Sequence, residues 1–416
     1  MPYQPRVVDA ELTNMLASAG AGVVEGPKAC GKTETARQAA ASEVLLDVDE
    51  AAQATAAVAP SALLNGPTPR LIDEWQTVPA LWNHIRRAID DRHEDGQFIL
   101  TGSALPADDV TRHTGAGRFA RMRMRPMSLF ETGHASGETS MATLLHNGPG
   151  TSQESTLTIP HIAERVSVGG WPRHHTRAPI HAMHAVRSYL DEVRRVDVRR
   201  LDDAYRDPDR VGRFLQSYAR NVGTYASNSA IASDTGGADG AIKDATAAEY
   251  HAALDRLMVI EDQPAWAPHL RSRAILRAAP KRHFVDPSLA VAAMRATPER
   301  VLADIRWFGF LFESLVVRDL RVYAQANDAV VRQYRDSTKL EVDAIVTAGN
   351  GAWAAFEVKL GHTYVDDAAK HLLTFAERVD TRTVGKPTTL AVIVATGYGY
   401  VRPDGVAVIP IGALGP

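Results

Sequence analysis

The stretch that decides the reading is Ala21-Gly-Val-Val-Glu25 followed by Gly26-Pro27-Lys28-Ala29-Cys30-Gly31-Lys32-Thr33. Five small or apolar residues suit a buried strand, and the next eight fit G-x-x-x-x-G-K-T, the Walker A phosphate loop. Glu34 to Ser42 then contains good helix formers and no breaker, so strand, loop and helix follow in the order a phosphate loop needs. Glycines let backbone N–H groups turn inward around an anion, and the helix behind presents its positive end to it. This predicts ATP binding by residues 26–34. Lys32 neutralises the β and γ phosphates, and the Thr33 hydroxyl is a Mg²⁺ ligand.

Working outward, Glu43–Asp49 reads as a second buried strand. Two further short strands follow, at Arg70–Glu74 and Gln97–Gly102, with a helix over Leu81–Asp91 between them. The pattern is a parallel sheet covered by helices. The strand ending Leu71-Ile72-Asp73-Glu74 supplies the carboxylates an ATPase needs, Asp73 for Mg²⁺ and Glu74 as general base. The strand ending Thr101-Gly-Ser103 offers a polar side chain to orient water, Thr101 first and Ser103 second. Arg118, after Gly115-Ala-Gly117, is a candidate arginine finger for the ATP of its own or a neighbouring subunit. It belongs to a basic run with Arg112, Arg121, Arg123 and Arg125, of which Arg121–Arg125 alternates as a strand with one charged face. Cys30 is a spacer in the loop, and a thiol reagent there is expected to block ATP sterically.

Composition fits this frame. The chain has 416 residues, enough for two or three domains, with 23% charged and 45% hydrophobic residues. A single cysteine excludes an internal disulfide and a thiolate metal cluster. A net charge of −3 gives no global attraction to nucleic acid, so such contacts fall to local basic patches. No apolar run is long enough to span a membrane, and the N-terminus does not read as a secretion signal, so the protein is expected to be cytoplasmic.

The set GPKACGKT, LIDEWQ, FILTGSA and AGRFARMRMRPMSLFE, with Gly169-Gly-Trp-Pro172 and Phe284-Val-Asp-Pro-Ser-Leu289, resembles the prokaryotic AAA-type ATPases that carry a C-terminal domain of uncharacterised function. The resemblance implies an ATPase core over 1–150, a helical lid with a winged-helix module over 151–295, and an α/β domain over 296–416. It also implies rings or filaments, hence a homo-oligomer. The wing would include Arg271, Arg273, Lys281 and Arg282. Pro67 and Pro69, close upstream of Asp73, set this chain apart from the pattern and shorten the expected strand.

The C-terminal part has its own constellation: Glu313 on a helix, Asp343 on a strand, and Glu357-x-Lys359 on the next. Residues two apart on a strand share a face, so Glu357 and Lys359 project together. The arrangement resembles the restriction-endonuclease-like core, in which Asp343 and Glu357 would hold a metal, Lys359 would act on water, and Glu313 would support the metal. Two functions follow: a nucleotide-driven switch or motor acting on DNA or RNA, with metal-dependent cleavage open to the C-terminal domain, or an ATP-gated regulatory switch that binds a protein partner and has an inactive C-terminal domain.

Overall fold

A computed structural model describes residues 3–103, 114–201, 206–236, 240–267 and 279–416. The chain forms two compact units. The first holds residues 1–126 with 197–205 and 253–259, and the second holds 127–196, 206–252 and 260–416.

The first unit is built on a five-stranded, all-parallel sheet. Its strands are β1 (Ala21–Glu25), β2 (Ser42–Leu45), β3 (Arg70–Asp73), β4 (Phe98–Gly102) and β5 (Phe119–Arg123), in the order β2-β3-β4-β1-β5. β1 and β4 lie centrally and are almost wholly buried, which explains their apolar runs. Four helices, α1 (Asp9–Leu16), α2 (Lys32–Ala39), α3 (Glu50–Val58) and α4 (Leu81–Arg92), accompany the sheet. On α4, Leu81, Trp82, Ile85 and Ile89 recur on one face and join a core with Trp75, Phe98 and Leu100. The second strand is shorter than the sequence suggests. Pairing stops at Leu45 because the Asp49 carboxylate accepts from Ala52 N–H and caps α3, drawing 47–49 into a turn. β3 has only four residues, as Pro67 and Pro69 foretold.

The unit boundary falls at Pro126, not near residue 150. The reason lies in the hydrogen bonds of the next segment. Leu129 N–H donates to Asp319 at 3.1 Å, and Leu144 C=O accepts from Thr389 at 2.7 Å. Residues 127–150 therefore belong with the second unit.

The second unit is built on a mixed six-stranded sheet. After β6 (Thr139–Ser140) come β7 (Ala329–Arg335), β8 (Glu341–Ala348), β9 (Trp353–Lys359), β10 (Thr389–Val394), β11 (Tyr400–Val401), β12 (Ala407–Pro410) and β13 (Leu414–Gly415). The order is β11-β12-β10-β9-β8-β7, antiparallel from β7 to β9 and parallel from β9 through β10 to β12. β8 and β9 are thus central strands. Helix Val365–Arg378 packs Ala368, Leu372 and Phe375 against the sheet, and helix Ile305–Gln325 is buried along most of its length.

The motifs Gly169-Gly-Trp-Pro and Phe284-Val-Asp-Pro-Ser-Leu meet in one buried polar hub. Asp286 accepts from Gly170 N–H, Ser288 N–H and the Arg318 guanidinium, and Asp319 accepts from Arg318 and Leu129 N–H. Trp171 donates its indole N–H to Ser288 at 3.0 Å, so it is a packing residue. A Cβ on Gly170 would stand 1.9 Å from the Met127 carbonyl oxygen, so only glycine fits there. A fully satisfied, buried network of this kind specifies packing.

Candidate functional site

The Walker A loop leaves the C-terminal end of β1. Gly31 has φ +106° and Ala29 φ +62°, the left-handed turns that curl the loop into a cradle. A Cβ on Gly26 would lie 2.3 Å from the Met124 carbonyl oxygen, which fixes glycine at the first position. Lys32 opens α2 and donates to the Gly26 and Pro27 carbonyls, both at 2.9 Å, so its ammonium is held over the loop. Lys28 instead pairs with Asp197 at 2.5 Å, and Glu34 pairs with Arg37 at 2.6 Å.

Strand order brings the rest of the site together. β4 separates β1 from β3, and its register sets Thr101 beside Val24 while Leu100 faces Ile72. Thr101 therefore lies between the loop strand and the carboxylate strand. Asp73 Oδ1 accepts from the Thr33 hydroxyl at 2.9 Å and also from the Thr101 hydroxyl. Glu74, at φ +51°, is a non-glycine residue in the left-handed region, a conformation that costs on the order of 1 kcal/mol and clusters at functional sites. Its carboxylate accepts from Ser103 at 3.1 Å and from the Gln76 amide. Thr101 and Ser103 thus serve different carboxylates. Gln76 Oε1 is buried and has no hydrogen-bond partner among the described residues. Gly102 makes room for it, since a Cβ there would come within 2.8 Å. Hard oxygen donors on Thr33 and Asp73 beside a phosphate cradle fit Mg²⁺ carried by a nucleotide, which asks few ligands of the protein.

Three sequence expectations change here. Arg118 precedes β5, whose first residue, Phe119, pairs with Ala21 at the start of β1. It therefore sits at the opposite end of the sheet from the loop, about 16 Å away by strand rise, and binds Asp90 at 2.8 Å. It cannot act on the ATP site of its own chain. The basic run is not a free cationic face either: Arg121 pairs with Glu25, and Arg112 lies outside the described residues. Cys30 is fully buried with its Sγ toward the Met124 carbonyl, in the apolar cluster of Val24 and Met122. A thiol reagent therefore meets the core and does not stand over the nucleotide.

Arg6 supports the loop from behind. Its buried guanidinium donates at 2.8 Å to the Cys30 carbonyl in the loop and at 2.8 Å to the Arg125 carbonyl. A lone arginine 20 residues before the loop carries no sequence signal for this role.

The second unit does bring Glu313, Asp343, Glu357 and Lys359 together, with one unforeseen member. Lys281, only 3% exposed, donates to Glu313 Oε1 at 2.6 Å and to Asp343 Oδ1 at 2.8 Å. Lys359 donates to Glu357 Oε2 at 2.5 Å and lies 3.5 Å from Asp343 Oδ2, which also accepts from Val358 N–H. Burial raises Glu313 to about 7, with Lys281 working against the rise. Burial and the neighbouring Asp343 push Glu357 up, while for Asp343 the two ammonium groups outweigh burial and hold it well below the usual carboxylate range. With Glu357 raised to about 8 and so protonated at neutral pH, the two ammonium groups balance the other two carboxylates without outside help. Lys359 stands between Asp343 and Glu357, the pair expected to hold a metal, and Lys281 stands between Asp343 and the supporting Glu313, so ammonium groups take the places a divalent ion would need and the residues do not fit a metal in this arrangement. Among the described residues no group of three or more His, Cys, Asp or Glu side chains could hold one.

The described basic residues of the expected wing do not form a free cationic surface. Lys281 lies in this cluster, and Arg282 is buried against Asp262, His251 and Asn228. Arg271 and Arg273 lie outside the described residues. No described helix is long and apolar enough to cross a membrane.

Residues 19–133 match the family model of an AAA domain. With the parallel sheet and its loop, the match supports an AAA-type ATPase. Residues 159–300 and 308–414 each match a domain of unknown function, DUF8612 and DUF4143. No curated protein sequence matches the chain. Among solved structures, the chain is similar to the Walker-type ATPase PABY2304 of Pyrococcus abyssi, at 14% identity and a TM-score of 0.38, covering 69% of this chain and 94% of that one. It is also similar to the Drosophila ORC bound to DNA, at 14% identity and a TM-score of 0.20, covering 70% and 85%. At these scores neither carries an argument about function.

Proposed function

We propose that this chain binds ATP with Mg²⁺ at residues 26–34 and hydrolyses it, using Glu74 as general base. The observation that carries the reading is the single constellation of Lys32 over the loop, Thr33 and Thr101 on Asp73, and Ser103 and Gln76 on Glu74. Thr33 and Asp73 hold the ion, which when bound offsets the phosphate charge. Glu74 takes the proton of the attacking water, and the orphan Gln76 Oε1 is the acceptor that fixes that water's second hydrogen. The Glu74→Gln variant tests this. It should keep ATP affinity and lose turnover by on the order of 100-fold or more. Full turnover in that variant would refute the assignment.

Within the second unit and its flanks, the order of helices Pro208–Arg220, Asn228–Asp234 and Asp244–Arg256, then bridges pairing Ile260 with Phe284 and Gln263 with Lys281, favours a winged-helix module. The Lys281 ammonium favours the inert form of the C-terminal domain over a metal-dependent nuclease. ATP turnover would then drive a switch whose partner is recognised elsewhere.

A further inference from the structure

A cleft of about 520 Å³ lies on the helical part of the second unit, where helix Pro208–Arg220 ends and helix Ile305–Gln325 begins. Its walls include Arg220, Arg300, Arg306, Trp307 and Phe310, with Asp304 as the acidic member. Asp304 is engaged as the helix cap, accepting from Trp307 N–H at 3.1 Å, and Arg220 is paired with Asp234 at 3.1 Å. Arg300 and Arg306 are exposed and have no ion pair or side-chain hydrogen bond among the described residues. What sets this pair apart from other exposed arginines is the two aromatic rings that line the same cleft. Trp307 and Phe310 are half-buried, and Trp307 is anchored from behind by its indole N–H on the Ala219 carbonyl at 3.0 Å. Held so, its ring is a fixed platform.

A second cleft of about 370 Å³ adjoins the first across residues 292–296. It is lined by Arg187, Arg194 and Arg295, of which Arg295 is exposed and unpaired among the described residues. Arg187 donates to the Ala296 carbonyl at 2.8 Å, and Ala296 lines the first cleft, so the two share a wall. Cationic groups that track a backbone, beside aromatic rings that accept a base, are the recurring means of holding single-stranded nucleic acid.

We infer that this double cleft binds single-stranded nucleic acid, with a base against Trp307 and Phe310 and phosphates on Arg300, Arg306 and Arg295. A duplex cannot offer an unstacked base to the platform. The inference does not depend on the ATPase reading, because none of these residues belongs to the nucleotide site.

The test is fluorescence anisotropy of a labelled single-stranded oligonucleotide with the full-length protein across a salt series, beside the Arg300→Ala/Arg306→Ala double variant. ATP hydrolysis is measured in parallel. Three phosphate contacts give a log–log salt slope of about −2 for a single strand. The double variant should lose at least ten-fold in affinity and flatten that slope by more than half. Both substitutions are at the surface, and an unchanged melting temperature and ATPase rate would show the fold intact. The inference is overturned if the wild type fails to bind at low salt, or if the double variant binds as well. It is equally overturned if a duplex of the same sequence binds as tightly, or if polyglutamate competes as well as the oligonucleotide, which would point to an acidic polypeptide.

Discussion

The two units each gather lysines and carboxylates at the end of a central strand pair, yet they do so to opposite ends. At the Walker loop Lys32 is held by two backbone carbonyls, and the carboxylates of Asp73 and Glu74 are held by hydroxyls and an amide. Among the described residues no ammonium pairs with Asp73 or Glu74, and one buried acceptor on Gln76 stays unsatisfied. In the second unit Lys281 and Lys359 sit directly on Glu313, Asp343 and Glu357, and the cluster closes on itself. An arrangement that leaves its charges to be met by a ligand is a site, whereas one that meets them internally is part of the core. Similar residue types therefore do not make similar chemistry; the pairing decides.

The largest expected effect that sharpens this contrast is on stability. Lys281→Ala strands two buried carboxylates and should cost about 3–5 kcal/mol, read by chemical denaturation. A variant as stable as the wild type would mean that Glu313 and Asp343 are satisfied by something else, and the closed-cluster account would fail.

Arg6→Ala comes next. It removes two charge-assisted hydrogen bonds, the buried one to the loop and a partly buried one to Arg125, at a cost of about 2 kcal/mol. Because Arg6 touches the loop from behind, the variant should raise KM for ATP more than it lowers kcat. An equal fall in stability with unchanged KM would reduce Arg6 to a packing role.

A smaller effect comes from pH. Glu357 ionises near 4.5 when unfolded and is raised to about 8 in the folded protein, by burial first and Asp343 second. Unfolding therefore releases its proton within that window, so its contribution to stability is full below about 4.5 and is lost as pH rises through about 8. Glu357→Gln should flatten the decline in melting temperature between pH 5 and 8. Parallel pH profiles for the variant and the wild type would contradict the assignment.

Much of the first unit was legible because local signals coincide there. The loop motif, the apolar runs of β1 and β4, and Asp73-Glu74 at a strand end all lie within short stretches whose geometry follows from sequence spacing. Thr101 was legible for the same reason, since a polar residue at the end of the intervening strand has to face the loop. Register was not legible, and that is why Arg118 is a finger candidate in sequence for the ATP of its own as well as of a neighbouring subunit: nothing local says that β5 starts level with Ala21. The second unit yielded its strands and its Glu-x-Lys pair but not their partner. Lys281 lies 62 residues from Asp343 in sequence, among basic residues that read as a solvated wing, and only the fold turns it inward. Arg6 was hidden likewise, because its ligands are backbone carbonyls, which leave no trace in side-chain patterns.

The contrast between an open site and a closed one is tested most directly by counting bound Mn²⁺ by electron paramagnetic resonance, with and without ATP. The wild type should bind no tight Mn²⁺ alone and one equivalent with ATP, and that equivalent should vanish in Lys32→Ala. A tightly bound equivalent in the absence of nucleotide, lost in Asp343→Asn and retained in Lys32→Ala, would contradict the account and make the C-terminal cluster a metal centre.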